Sequence, residues 1–216
     1  MSAPLDLATQ QELSLRYGEY TRLVAKDQHK RPGVYDDDGV RQYGLIAFVR
    51  YFWHILEPET KFVDGWPLWS MCEHLEAVTA GRITRLLMNV PPGHMKSLLT
   101  DVFWPAWEWG PMGKAHFRYV TFSYSASLTE RDNDRFRLLI ASPEYQALYG
   151  PVSIRVEDEA GNLVVDEGNV VRLRNKTTIK VINSKFGFKL ASSVGGVGTG
   201  ERGDRIIIDD PHNVTE

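Results

Sequence analysis

Hydrophobic positions follow two different periods along the chain. In residues 68–81 apolar side chains return every three or four positions, with Leu68, Cys72, Leu75 and Val78 or Thr79 on one face. That period predicts a helix, and Gly81 is a suitable stop. Residues 82–90 (RITRLLMNV) and 117–125 (FRYVTFSYS) are instead short, dense apolar runs of buried-strand length. Residues 45–56 (LIAFVRYFWHIL) are apolar and aromatic throughout and fit either a helix or a strand. After Ser97, LLTDVFWPAWEWG predicts a helix kinked at Pro105 and ended by Gly110 and Pro111. ASLTERDNDRFRLLIAS and PEYQALYG predict two more helices, the second shorter. Strands alternating with helices predict an α/β fold, its mostly parallel sheet flanked by helices on both faces. From residue 152 to 190 the chain changes to short extended runs with turn signals at EAGN and DEGN, which predict a β-hairpin insertion. Ile206, Ile207 and Ile208 then predict a fully buried strand. Residues 1–44, an imperfect helical pattern broken by KRPGVYDDDG, separate as an N-terminal arm from a domain over 45–216.

Composition narrows the class. A chain of 216 residues, 43% hydrophobic and 25% charged, can bury the core of one α/β domain without staples. Its single cysteine, Cys72, permits no internal disulfide and fits a reducing compartment. No stretch nears the roughly 20 apolar residues that cross a bilayer, and the N-terminus lacks a signal-peptide pattern, so a soluble intracellular protein with no membrane partner is expected. A net charge of −3 argues against nucleic-acid binding by bulk charge and moves the question to local surfaces. Between residues 171 and 189 lie Arg172, Arg174, Lys176, Lys180, Lys185 and Lys189 with no acid among them. On a strand Arg172, Arg174 and Lys176 share a face, which suits tracking of DNA phosphates without base readout. Protection of an edge strand explains the same charges and stays open beside it.

The segment NVPPGHMKS, residues 89–97, carries the candidate chemistry. A phosphate loop of Walker A type reads GxxxxGK followed by Ser or Thr, and aligning Lys96 and Ser97 with its end puts Val90 and Met95 where both glycines belong. The physical requirements survive that loss. A strand leads in, Pro91 and Pro92 stiffen the exit, Gly93 supplies a turn, and Lys96 and Ser97 open a helix whose N-terminus favours an anion. A Lys beside a Ser by chance reads the same way, so the loop needs a partner. Asp209 and Asp210 supply one at the C-terminal end of the RIII strand, where ligands bind in open α/β sheets. A Walker B motif has this form, one strand-end acid for Mg²⁺ and a neighbour that orients the attacking water. A solvated turn before Pro211 is the plain alternative.

With these motifs the chain resembles the ATPase domain of bacteriophage large terminase subunits, motors that pump DNA into preformed capsids. The likeness rests on residues 62–109, on FSYSASLTERDNDRFRLLIASPEYQALYG and on SSVGGVGTGERGDRIIIDDPHN. It implies a P-loop NTPase of the ASCE type with ATP and Mg²⁺ as cofactors. Pro92, Gly93, His94, Met95, Lys96, Ser97 and Leu98 would bind ATP, with Lys96 on the β and γ phosphates and Ser97 and Asp209 holding the metal. Asp210 would be the catalytic carboxylate, one methylene shorter than the usual Glu, with Glu216 as a fallback. A cation for the transition state would come from Arg131, Arg135 or Arg202. The resemblance also implies double-stranded DNA, a portal protein and a small terminase subunit as partners, a homo-oligomeric ring when assembled, and the host cytoplasm as location. A chain ending at Glu216 leaves no room for the nuclease domain of that family, so only the motor half is expected. A helicase-like P-loop motor and a nucleotide-binding docking module without hydrolysis remain the alternatives.

Overall fold

The computed structural model describes residues 44–149, 154–157, 163–165, 179–183, 185–193 and 200–212. The N-terminal arm, Arg172, Arg174, Lys176 and Glu216 lie outside the described residues. Helix α1 (Gly44–Leu56) resolves the ambiguity of its apolar run: Leu45, Phe48, Val49 and Phe52 fall on one stripe and are buried, while Arg50 turns out to meet Asp64. Helix α2 (Trp66–Thr79) has Pro67 in its first turn, buries Leu68, Met71, Cys72 and Leu75, and is followed by Gly81 at φ 73. Beyond the phosphate-loop segment a π-helical turn (Leu98–Phe103) runs into helix α3 (Trp104–Trp109). Pro105 lacks an N–H, and the widened turn, in which the Trp104 amide bonds back to Leu99, is how the helix accommodates it. Helices α4 (Ala126–Ile140) and α5 (Pro143–Tyr149) follow the first strand as expected.

Strands β1 (Tyr119–Ser123), β2 (Ile154–Glu157), β3 (Leu163–Val165), β4 (Lys180–Asn183), β5 (Phe188–Ser193) and β6 (Arg205–Ile208) form one mixed sheet in the order β3-β2-β4-β5-β1-β6. The fold is α/β, with a β2–β3 hairpin in the region where an insertion was expected. The expectation of a mostly parallel sheet is corrected: β5, β1 and β6 run parallel, but the three pairings from β3 to β5 are antiparallel. Between β4 and β5 only four residues intervene, and so short a connection can only reverse direction. At the β4–β5 turn, the Asn183 carboxamide oxygen accepts the amides of Lys185 and Gly187, and Phe186 takes φ 63. Gly187 is pressed so closely that a Cβ would stand 2.0 Å from the Ala115 carbonyl oxygen.

Two strand expectations fail. Residues 82–90 take no regular structure and join no strand among the described residues, and Leu87 is 85% exposed while Leu86, Met88 and Val90 pack partly on the core. Arg82, Arg85 and Asn89 would bring unpaired polar groups into a sheet interior, so this run is a half-buried ribbon. Strand β6 is an edge strand, with Ile207 buried but Ile206 65% and Ile208 61% exposed. The core lies on the other face, where Phe48, Phe52, Phe103, Trp107, Phe136 and Tyr145 are fully buried. Among the described residues no helix is long and apolar enough to cross a membrane.

Candidate functional site

At one of the two positions where a Walker A loop has glycine, segment 89–97 takes the backbone that a glycine favours. Gly93 has φ 85, and Met95, at the consensus glycine position, has φ 62. A side chain in that left-handed region costs on the order of 1–2 kcal/mol, so Met95 is held there by its surroundings. The Nδ1 of His94 lies 3.2 Å from both the Pro91 and Pro92 carbonyl oxygens. Lys96 and Ser97 are already helical, and the Leu99 amide donates to the Met95 carbonyl at 2.8 Å.

Two segments more than a hundred residues apart meet at this helix start. Lys96 Nζ lies 2.8 Å from Asp209 Oδ1 and 2.6 Å from Asp210 Oδ1, and Ser97 Oγ donates to Asp209 Oδ2 at 2.5 Å. The Asp209 amide continues the β6 ladder by donating to the Phe122 carbonyl at 2.8 Å, which fixes its carboxylate at the strand end. Asp210 then leaves the strand at φ 43, a conformation Asp tolerates better than most residues, and its side chain is 68% exposed. Burial pulls the Lys96 ammonium pKa down, but hydrogen bonds and charge from Asp209 and Asp210 outweigh it and hold the pKa above the ordinary lysine value. The cluster opens into a groove of about 720 Å³ between the unpaired ribbon 83–89 and strand β6, lined further by Leu75, Val78 and Trp104.

Behind the cluster is a buried polar bed that the sequence reading missed. Asp101, in the π-helical turn, and Lys189, on β5, are both fully enclosed. Burial raises the Asp101 pKa to about 6 and lowers that of Lys189. Lys189 Nζ donates to Asn133 Oδ1 at 2.5 Å, and Asn133 in turn donates to the Ile179 carbonyl. An acid inside the apolar run LLTDVFW was the available signal for Asp101. Lys189 was counted instead with the basic stretch, and its burial removes it from any DNA-facing surface. Lys180, from the same stretch, is paired with Glu201 at 2.8 Å.

The arginine candidates are dispersed. Arg131 grips Asp132 through Nε at 3.0 Å and Nη2 at 3.2 Å; that hydrogen bond, with smaller contributions from Asp209 and Asp101, raises its pKa. Arg135 pairs with Glu57 at 3.1 Å, and Arg202 is exposed in the loop before β6.

Comparison of the chain with protein-family models, curated proteins and solved structures finds no match. The local chemistry can still be tested against magnesium. Mg²⁺ takes oxygen ligands and is commonly held by one or two carboxylates together with substrate phosphates. The adjoining oxygens of Ser97 and Asp209 fit that demand. Among the described residues no group of three or more His, Cys, Asp or Glu is arranged as a protein-only metal cage.

Proposed function

We propose that the chain is a P-loop ATPase that uses Mg²⁺ and acts as the motor domain of a terminase-like DNA-packaging machine. The observation that carries the nucleotide part is the meeting of Lys96 and Ser97 with Asp209 and Asp210 at one helix N-terminus. Lys96 exchanges its carboxylate partners for the β and γ phosphates, to which the amides of residues 93–98 also donate. Ser97 Oγ and Asp209 would hold the metal, which would neutralise charge on the phosphates. Asp210, exposed and next to the metal ligand, orients the attacking water and accepts its proton. Arg131 and Arg202 are the candidates to meet the charge that develops on the phosphoryl group.

The motor part rests on the sequence resemblance. Double-stranded DNA, held by Arg172, Arg174 and Lys176, a portal protein, a small terminase subunit and a homo-oligomeric ring in the host cytoplasm belong to that reading. ATP turnover of the chain and of Lys96→Ala tests its enzymatic half. A loss of roughly a hundredfold or more in the variant is expected from removal of a charged transition-state contact. Equal rates in the two proteins would refute hydrolysis at this loop, and nucleotide binding without turnover would favour the docking module.

A further inference from the structure

We propose that Thr100 and Asp101 form a relay that tunes how firmly the phosphate loop is held, with Asp101 as a positioning residue for nucleotide binding. This inference rests on the nucleotide-binding reading of Lys96 and Ser97. The Thr100 hydroxyl has one proton to donate. Three acceptors lie within its reach: the Lys96 carbonyl at 3.0 Å, an Asp101 carboxylate oxygen at 2.9 Å and, at the limit, the Ser97 carbonyl at 3.5 Å.

When that proton goes to Lys96, it closes the first turn of the helix over the residue whose side chain meets the phosphates. When Asp101 takes it, the Lys96 carbonyl loses the contact. An ionised carboxylate only accepts and draws the proton away; a group that donates to the Thr100 oxygen returns it to Lys96. The placement of Asp101 suits such a role better than a packing role. It is enclosed in a turn whose other polar side chain is Thr100, and its second oxygen, Oδ1, has no hydrogen-bond partner among the described residues. The charges acting on it come from three different elements: Lys189 on β5, Asp132 on α4 and Asp209 after β6. Helix α1 packs rings on the same turn, Phe48 and Trp53 against Phe103, and Glu108 of α3 faces Tyr119 and Arg205. The relay therefore lies where the sheet, α4 and the phosphate loop adjoin.

Asp101→Asn replaces a pure acceptor with a group that can donate to Thr100, Thr100→Val removes the relay, and Thr100→Ser keeps its hydroxyl. Two quantities are measured for these variants and for the double variant: affinity for a fluorescent ATP analogue with Mg²⁺, and hydrogen exchange of amides 97–100 without nucleotide. Asp101→Asn should tighten binding by roughly fivefold and slow exchange, Thr100→Val should weaken binding by a similar factor and speed exchange, and Thr100→Ser should match the parent. In the Thr100→Val background, Asp101→Asn should change neither quantity. Weaker binding or faster exchange in Asp101→Asn, or an equal effect in both backgrounds, would overturn the relay. If the parent chain binds no nucleotide, the functional reading falls, and the exchange pattern alone still decides for or against the relay.

Discussion

Met95 holds a backbone that usually calls for glycine. An unbranched side chain can be forced to φ 62, and the flexible thioether reaches back to pack partly on the core. A β-branched residue of similar size has no such freedom, because its second branch meets the backbone in this conformation. Met95→Ile should therefore lose at least about 1 kcal/mol of stability in denaturant melts, whereas Met95→Gly should keep nucleotide affinity close to the parent. Asp101 gives a second residue-level expectation. Its ordinary pKa is 3.8 and burial lifts it to about 6 in the folded chain. Between those values the folded form retains a proton that the unfolded form has released, so stability falls as pH rises from about 4 to 6 and levels off above. The full cost is about 3 kcal/mol. Chemical denaturation across that range should show the decline in the parent and a flatter profile in Asp101→Asn.

At the scale of elements, β6 reaches the site because its base is tied down. Arg205 donates twice to Glu108, at 2.8 and 3.1 Å, and Tyr119 donates to the same carboxylate, so α3, β1 and β6 share one buried anion. Desolvation works against Arg205, yet the Glu108 hydrogen bonds and charge outweigh it and raise its pKa. Removing one member strands the other, and Glu108→Ala should cost about 3–5 kcal/mol in a denaturant melt, with Glu108→Gln costing less. This anchor was invisible in the sequence because Glu108 sits in WPAWEWG, a run that reads only as an apolar helix. Helix α2 was legible because the spacing of Leu68, Cys72 and Leu75 states which face is buried, whereas residues 45–56, apolar throughout, left helix and strand open. The ribbon 82–90 was misread because density of apolar residues was weighed above Arg82 and Arg85, whose charges keep it out of the sheet. The mixed sheet was not foreseen because strand direction depends on turns such as Asn183 to Gly187, whose hydrogen bonds leave little trace in composition. The position of the acid pair, by contrast, was readable: a strand followed by two aspartates puts Asp209 and Asp210 at the end of β6, although that strand is an edge.

Across the whole molecule, the charges gathered at the site would, on the proposed reading, decide when it accepts a polyphosphate. One ammonium, Lys96, faces two carboxylates, Asp209 and Asp210, so the cluster is negative by one charge and repels an unmetallated nucleotide. A divalent cation held by the Ser97 and Asp209 oxygens would reverse that sign and free Lys96 for phosphate. Binding should therefore depend on the metal for reasons of charge balance as well as ligand geometry. Ligand-induced stabilisation gives a measurement that does not require turnover. With Mg²⁺ and ATP at about a hundred times Kd, linkage supplies about 2.7 kcal/mol, or a rise in Tm of about 5–10 °C for a chain of this size. With the metal chelated, the parent should show little shift, whereas Asp210→Asn, which leaves one carboxylate opposite Lys96, should recover part of it. Mg²⁺ restores the full shift in the parent, and Lys96→Ala should show none in either condition. A parent chain that binds ATP equally well with and without metal would mean that the acid pair does not guard the lysine.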